Sequence, residues 1–182
     1  MSERFRVLVA DPPWPFDDNL GGEIRGAEAH YNVLSMQQIR RFPLPPMYEN
    51  SILFLWRVSS MQQEALDVLN AWDFRLHSEL VWKKLTKHGK RHFGMGRIVR
   101  AEHETCLIAV SGKPIILDKS VRSIFEAPTG RHSEKPDVFY KLVERLSAGP
   151  YAELFARRHR AGWTTFGDQL PALEDQQHES HS

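Results

Sequence analysis

The sequence predicts an α/β fold, a mostly parallel sheet with helices on both faces, on three observations. Strand-like and helix-like stretches alternate along almost all of the 182 residues. Two strand-length runs, SILFLW at 51–56 and TCLIAV at 105–110, are nearly apolar throughout, as strands buried on both faces are. An apolar run also stops abruptly in a polar, proline-rich loop at Asp11. Such a loop lies beyond the carboxyl end of a strand, where open α/β sheets bind their ligands.

The elements follow in order. Phe5–Ala10 reads as a buried strand that ends at Asp11-Pro12-Pro13. Residues 35–41 read as a short helix with Ser35 as its N-cap, and 51–57 as a strand. Over 61–72, Met61, Ala65, Leu66, Leu69 and Trp72 recur at helical spacing. Strands are expected at 74–82 and 103–110, with a shorter one at 121–127. The clearest helix is 136–146: Pro136 suits a first helical position, and Val138, Phe139, Leu142, Val143 and Leu146 form one apolar stripe. Residues 151–156 and 163–167 read as closing strands.

A chain of this length, 41% apolar and 26% charged, builds one domain, expected over residues 1–170. The polar, non-periodic 171–182 segment reads as a disordered tail. Net charge is +1, from 24 basic and 23 acidic residues, so any electrostatic argument must come from local clustering. The single cysteine, Cys106, makes no internal disulfide and reads as a buried strand residue. No signal-peptide pattern and no run near the ~18 apolar residues of a membrane span are present, so a cytoplasmic protein is expected. The 9 histidines are scattered, with no H-x-x-x-H pair on a predicted helix, and no metal is expected.

The strongest local feature is Asp11-Pro12-Pro13-Trp14-Pro15. Each proline fixes φ, removes an N–H and drives the preceding residue extended. The loop thus offers several carbonyl acceptors and few donors; Asp11 adds a carboxylate and Trp14 a flat surface for stacking. Such a set suits a planar ligand edge bearing an NH₂, as on adenine or cytosine. Acceptors around that nitrogen favour a pyramidal form and stabilise the positive charge it develops. Methyl transfer from a sulfonium to it needs in-line positioning, with no metal and no covalent intermediate. The plainer alternative is a rigid turn with a half-buried tryptophan.

A second cluster spans Ser133 to Gln169. Ser133-Glu134-Lys135-Pro136 opens the striped helix, whose N-terminus beside Lys135 would hold a methionine-type carboxylate. Glu153 or Arg157, at a strand end, would bond ribose hydroxyls. Gly167-Asp168-Gln169 closes the last strand. Singly, these residues are explained as a helix cap, a surface ion pair and a turn. Between two strands, residues 83–100 carry Lys83, Lys84, Lys87, Lys90, Arg91, Arg97 and Arg100 and no acid. That pattern is a candidate phosphate contact. Phe93 is a candidate wedge for a flipped base. The 17–31 loop, with Gly21, Gly22, Gly26, His30 and Tyr31, is a candidate cover for the target or cofactor.

VLVADPPW, SILFLW, LVWKK, HETCLIAVSGKP, HSEKPDVFYKLVERLSAGPYAELFAR and GWTTFGDQ together resemble the DPPW-type N6-adenine methyltransferases, the MT-A-seventy family, over residues 5–169. The resemblance implies a Rossmann-like S-adenosylmethionine-dependent methyltransferase fold in permuted order, with the catalytic loop first and much of the cofactor site last. It implies that Asp11 accepts from the target amine near the methionine amino group, that the Pro12 and Pro13 carbonyls hold the amine, and that Trp14 packs on the base. Lys135 would bind the methionine carboxylate. Glu153, Leu154, Arg157 and Gln169 would line the nucleoside, with Ser133, Phe155, His159, Gly167 and Asp168 in the same cofactor site. Where eukaryotic members usually have Asn, this chain has Arg160 and Asp168. The implied partner is nucleic acid, DNA before RNA, reached by Tyr31 and the basic segment. A homodimer and a heteromer are both compatible, and a bacterial or phage-infected host is expected.

Overall fold

The computed structural model describes residues 3–15, 33–92, 94, 98–130 and 134–167, to which every structural statement refers. Tyr31, Phe93, Arg97, Ser133, Asp168, Gln169, the 17–31 loop and the 171–182 tail lie outside the described residues. In chain order the elements are β1 (Phe5–Ala10), α1 (Met36–Arg40), β2 (Met47–Arg57), α2 (Gln62–Ala71), β3 (Arg75–Leu85), β4 (His103–Ser111), β5 (Ile124–Pro128), α3 (Asp137–Leu146), β6 (Tyr151–Leu154) and β7 (Trp163–Phe166).

The strands form one sheet ordered β5-β3-β4-β2-β1-β6-β7. β1 is parallel to β2 and β6, β6 to β7, and β3 to β5, while β4 is antiparallel to both β2 and β3. Every described strand except β4 therefore points the same way, and the fold is the expected Rossmann-like α/β. Alternation along the strands builds a core on each face. Leu8, Ala10, Leu53, Leu55 and Leu107 meet Ile39 of α1 and Ala65, Val68 and Leu69 of α2. Val7, Val9, Phe54, Trp56 and Cys106 point the other way, to Phe139, Tyr140 and Val143 of α3. Cys106 is fully buried, as expected, and its thiol is pushed up by that burial.

Several boundaries differ from the sequence reading, each for a local reason. β2 starts at Met47, not Ser51, because Phe5 pairs with Met47 across a register shift; the exposed Tyr48-Glu49-Asn50 gives no apolar signal there. β3 runs past Trp82 to Leu85, since Lys83, Lys84 and Leu85 pair with Glu126, Ala127 and Pro128 of β5. β5 begins at Ile124 rather than 121. Pro136 is the N-cap of α3, with an extended ψ of 148°, and the first helical residue is Asp137. β6 stops at Leu154, ahead of 156, because Phe155 adopts a left-handed φ of 61°. The expected capping of α1 is present: Ser35 Oγ accepts from the Gln38 N–H at 3.2 Å, and the Ser35 N–H donates to Gln38 Oε1 at 2.8 Å.

Chain order turns the sheet's growth around at β1. β2 lies on one side of it, and the much later β6 on the other. The crevice beyond their carboxyl ends is the switch point of the sheet, with Asp11 directly after β1 and Phe155 directly after β6.

Candidate active site

The edge of the sheet at that crevice carries a row of functional groups on the face covered by α3. Lys84 of β3 follows Trp82 at a two-residue step, Glu104 of β4 precedes Cys106, and Trp56 lies near the end of β2. Trp82, Cys106 and Trp56 all belong to the core on this face, so period-2 alternation puts Lys84 and Glu104 on it as well. Glu153 of β6 sits beside Val9 of β1 and faces α3 with it.

Lys135, in the short link between β5 and α3, joins this row. Its ammonium lies 2.9 Å from Asp11 Oδ2 and 2.9 Å from Glu104 Oε2, and 4.8 Å from the centre of the Trp56 ring. Glu104 Oε1 in turn meets Lys84 at 2.5 Å. The result is an alternating acid–base chain, Asp11–Lys135–Glu104–Lys84, with Lys135 only 9% exposed. Burial alone would push the Lys135 ammonium down, but attraction to Asp11 and then Glu104 more than reverses it, and it titrates above its ordinary range. Burial likewise pulls Glu104 up, yet Lys135 and Lys84 together hold it below its ordinary value.

Glu153 differs. It is 9% exposed and accepts a hydrogen bond from the Tyr140 hydroxyl at 2.6 Å. Burial raises it above the ordinary carboxylate range, and the Tyr140 bond and Arg160 only partly oppose this. Phe155 follows with its left-handed backbone, a conformation that costs a non-glycine residue about 1–2 kcal/mol. Its ring is held against Phe42 at 4.5 Å. Backbone strain of this kind concentrates at functional positions.

Asp11, Lys135, Glu153, Phe155 and Arg157 line one cavity together with Trp56 and Tyr140. Motifs more than a hundred residues apart in sequence are thus brought together as expected. Other candidates are placed elsewhere. Trp14 is 7% exposed, packs in the core with α1 and α2, and donates its indole N–H to the Trp56 carbonyl at 3.0 Å; burial removes the stacking surface expected of it. The Pro12 carbonyl accepts from the Trp14 N–H at 2.8 Å and the Pro13 carbonyl from the Leu34 N–H at 3.1 Å. Each therefore has only its second acceptor position open to an amine, and neither residue lines the cavity. Leu154 is a core residue. His159 does not line the cavity, and its Nδ1 lies 2.9 Å from Thr165 Oγ1. Gly167 packs against backbone: a Cβ there would lie 2.2 Å from the Ala156 carbonyl oxygen. The first turn of α3 carries Asp137, which pairs with Arg158 and Arg160.

The basic segment also divides. Lys83 pairs with Glu126 at 2.6 Å and Lys84 with Glu104, so both charges are taken up within the sheet. Lys87, Lys90, Arg91 and Arg100 are exposed. Residues 85–91 fold into a tight hairpin rather than an open loop: the Thr86 N–H donates to the Lys90 carbonyl at 2.7 Å, and Gly89 takes a φ of 73° at its tip. Sequence reasoning missed Glu104, Trp56 and Tyr140. Glu104 alone carried a signal, as an acid opening an otherwise apolar strand.

The family model described as MT-A70 matches residues 5–169, almost the full chain. The chain belongs to the MT-A70 family. MT-A70 methyltransferases use S-adenosyl-L-methionine as methyl donor. The human N(6)-adenosine-methyltransferase catalytic subunit METTL3 is 30% identical over 177 residues, covering 93% of this chain and 29% of METTL3. A putative N(6)-adenosine-methyltransferase MT-A70-like protein of Medicago truncatula is 28% identical over 176 residues, 93% of this chain and 27% of that protein. The type II methyltransferase M.MunI of a Mycoplasma species is 25% identical over 190 residues, covering 93% of this chain and 79% of M.MunI. The chain thus spans less than a third of those two eukaryotic relatives and most of the Mycoplasma one.

The residues present fit the MT-A70 cofactor. Its amino-acid end is a zwitterion, with a carboxylate that Lys135 matches and an ammonium that Asp11 matches. Its ribose offers two hydroxyl donors, and Glu153, an acceptor when ionised, lines the same cavity.

Proposed function

We propose that this chain is an S-adenosylmethionine-dependent methyltransferase acting on the N6 amino group of adenine in DNA. The observation that carries the reading is the half-buried Asp11–Lys135–Glu104 network at the switch point, whose Asp11 and Lys135 share a cavity with Glu153. When bound, the cofactor supplies an electrophilic methyl group on sulfur. Lys135 and Glu153 hold its two ends. Asp11, at the boundary between cofactor and target, accepts from the amine of the base and stabilises the charge that grows on nitrogen. Transfer would break the sulfur–methyl bond and release the neutral thioether S-adenosylhomocysteine. The methylated nitrogen, then positively charged and acidic, would lose one proton to solvent, so no general base with a strongly shifted titration is needed.

DNA is proposed on the match that spans most of the Mycoplasma type II methyltransferase. A second reading, adenine in RNA, is favoured by the relatives named for adenosine, the ribonucleoside. Nucleoside mass spectrometry on DNA and RNA incubated with the protein separates the two. N6-methyladenine in DNA alone supports the proposal, and methylation confined to RNA overturns the DNA assignment. Asp11→Ala tests the mechanism. Lys135 keeps Glu104 as a partner in that variant, so the fold is expected to survive while turnover falls by at least about 10²-fold. A folded variant with turnover near that of the unaltered protein would refute the role of Asp11.

A further inference from the structure

We propose that Tyr140 and Arg160 are positioning residues that hold the Glu153 carboxylate for the ribose hydroxyls of the cofactor; this rests on the methyltransferase reading above. Glu153 is a buried acid on the cavity wall, and a carboxylate without a fixed donor would turn to whatever polar group it could reach. Tyr140 supplies that donor from α3 at 2.6 Å. Its hydroxyl fills one acceptor position of the carboxylate and leaves the remaining capacity for a ligand.

The tyrosine is itself held on several sides. The Arg160 guanidinium carbon lies over its ring, 3.5 Å from the centroid. Trp163 and Phe139 meet it edge-on, at 5.4 Å and 5.2 Å between centroids. Arg160, 16% exposed, is aimed by Asp137 at 3.0 Å, and Arg158 ends on the same carboxylate. A chain of contacts therefore runs from the first turn of α3 through Arg160 and Tyr140 to Glu153 and the cavity. A phenylalanine at 140 would fill the same apolar space, so only the hydroxyl requires the acid. Only a planar cation stacks as Arg160 does, which a lysine cannot reproduce.

The test measures binding of S-adenosylhomocysteine and of its 2′,3′-dideoxy analogue by calorimetry, with thermal melting as the folding control. Tyr140→Phe is expected to weaken S-adenosylhomocysteine about tenfold and the dideoxy analogue less than about twofold. In a Glu153→Ala background, which removes the acceptor altogether, the same substitution is expected to have no further effect. Arg160→Met should weaken S-adenosylhomocysteine about threefold, without rescue by Arg160→Lys, and it carries the test if Tyr140→Phe does not fold. In turnover, KM for the cofactor should rise in the Tyr140→Phe and Arg160→Met variants while kcat holds. Equal weakening of both ligands, or of neither, overturns the proposal and leaves the methyltransferase reading standing. If the unaltered protein binds neither ligand, the methyltransferase reading fails and this inference falls with it.

Discussion

At the scale of single residues, Trp14 separates what a motif implies from what its side chain does. The indole N–H reaches the Trp56 carbonyl, and the ring is packed in the core. Trp14→Phe keeps most of the apolar contact but loses the buried hydrogen bond to the Trp56 carbonyl, which costs about 0.5–1.5 kcal/mol. The expected result is a melting temperature lower by about 2–4 °C per kcal/mol, with turnover nearly intact at low temperature. A variant of unchanged stability that loses affinity for the target would restore the stacking role. The site was only partly legible for the same reason. Asp11, Lys135 and Glu153 stand in short, unusual motifs, whereas Glu104, Trp56 and Tyr140 stand inside ordinary apolar patterns. What makes those three functional is a neighbour supplied by another strand or helix, and no local spacing reveals a neighbour.

At the scale of elements, the sequence specified which segments are strands and helices better than where they end. Apolar alternation stops at Trp82, yet β3 continues to Leu85 because backbone pairing with β5 runs on through the lysines. The antiparallel setting of β4 was not legible either, because direction is fixed by partners and not by composition. These two facts reassign the basic segment. Lys83 and Lys84 become strand residues paired with acids, while the hairpin charges Lys87, Lys90 and Arg91, like Arg100, are exposed. Lys87→Gln, Lys90→Gln and Arg91→Gln together are therefore expected to flatten the dependence of log affinity for duplex DNA on log salt by about 2–3. Lys83→Gln is expected to leave the slope unchanged. A reversed ranking in a salt titration would place the phosphate contact on the sheet edge instead.

At the scale of the whole molecule, two acids on one sheet face pull stability in opposite directions with pH. Glu104 is held below its ordinary value of 4.5, so its contribution is present above that pH and is lost as pH falls through the lowered value. Glu153 is raised above 4.5. The folded chain holds that proton more tightly than the unfolded one, so its contribution is complete below 4.5 and is lost as pH rises through the raised value. Once ionised, the carboxylate in this buried wall can accept from a ligand but weakens the unliganded fold. Glu153→Gln retains the Tyr140 hydrogen bond without the charge. It should melt higher than the unaltered protein near pH 8, and the gap should close towards pH 4. Glu104→Gln leaves Lys84 unpartnered and Lys135 with one acid. It should melt lower near pH 8, by about 1–3 kcal/mol of stability after allowance for partial exposure, with that deficit also shrinking on acidification. Melting curves across this range decide the matter: a Glu153→Gln profile parallel to that of the unaltered protein at every pH would mean the carboxylate is not under strain. A gap that opens with pH would mark the α3 face of the switch point as the place where the fold gives up stability to keep an acceptor ready.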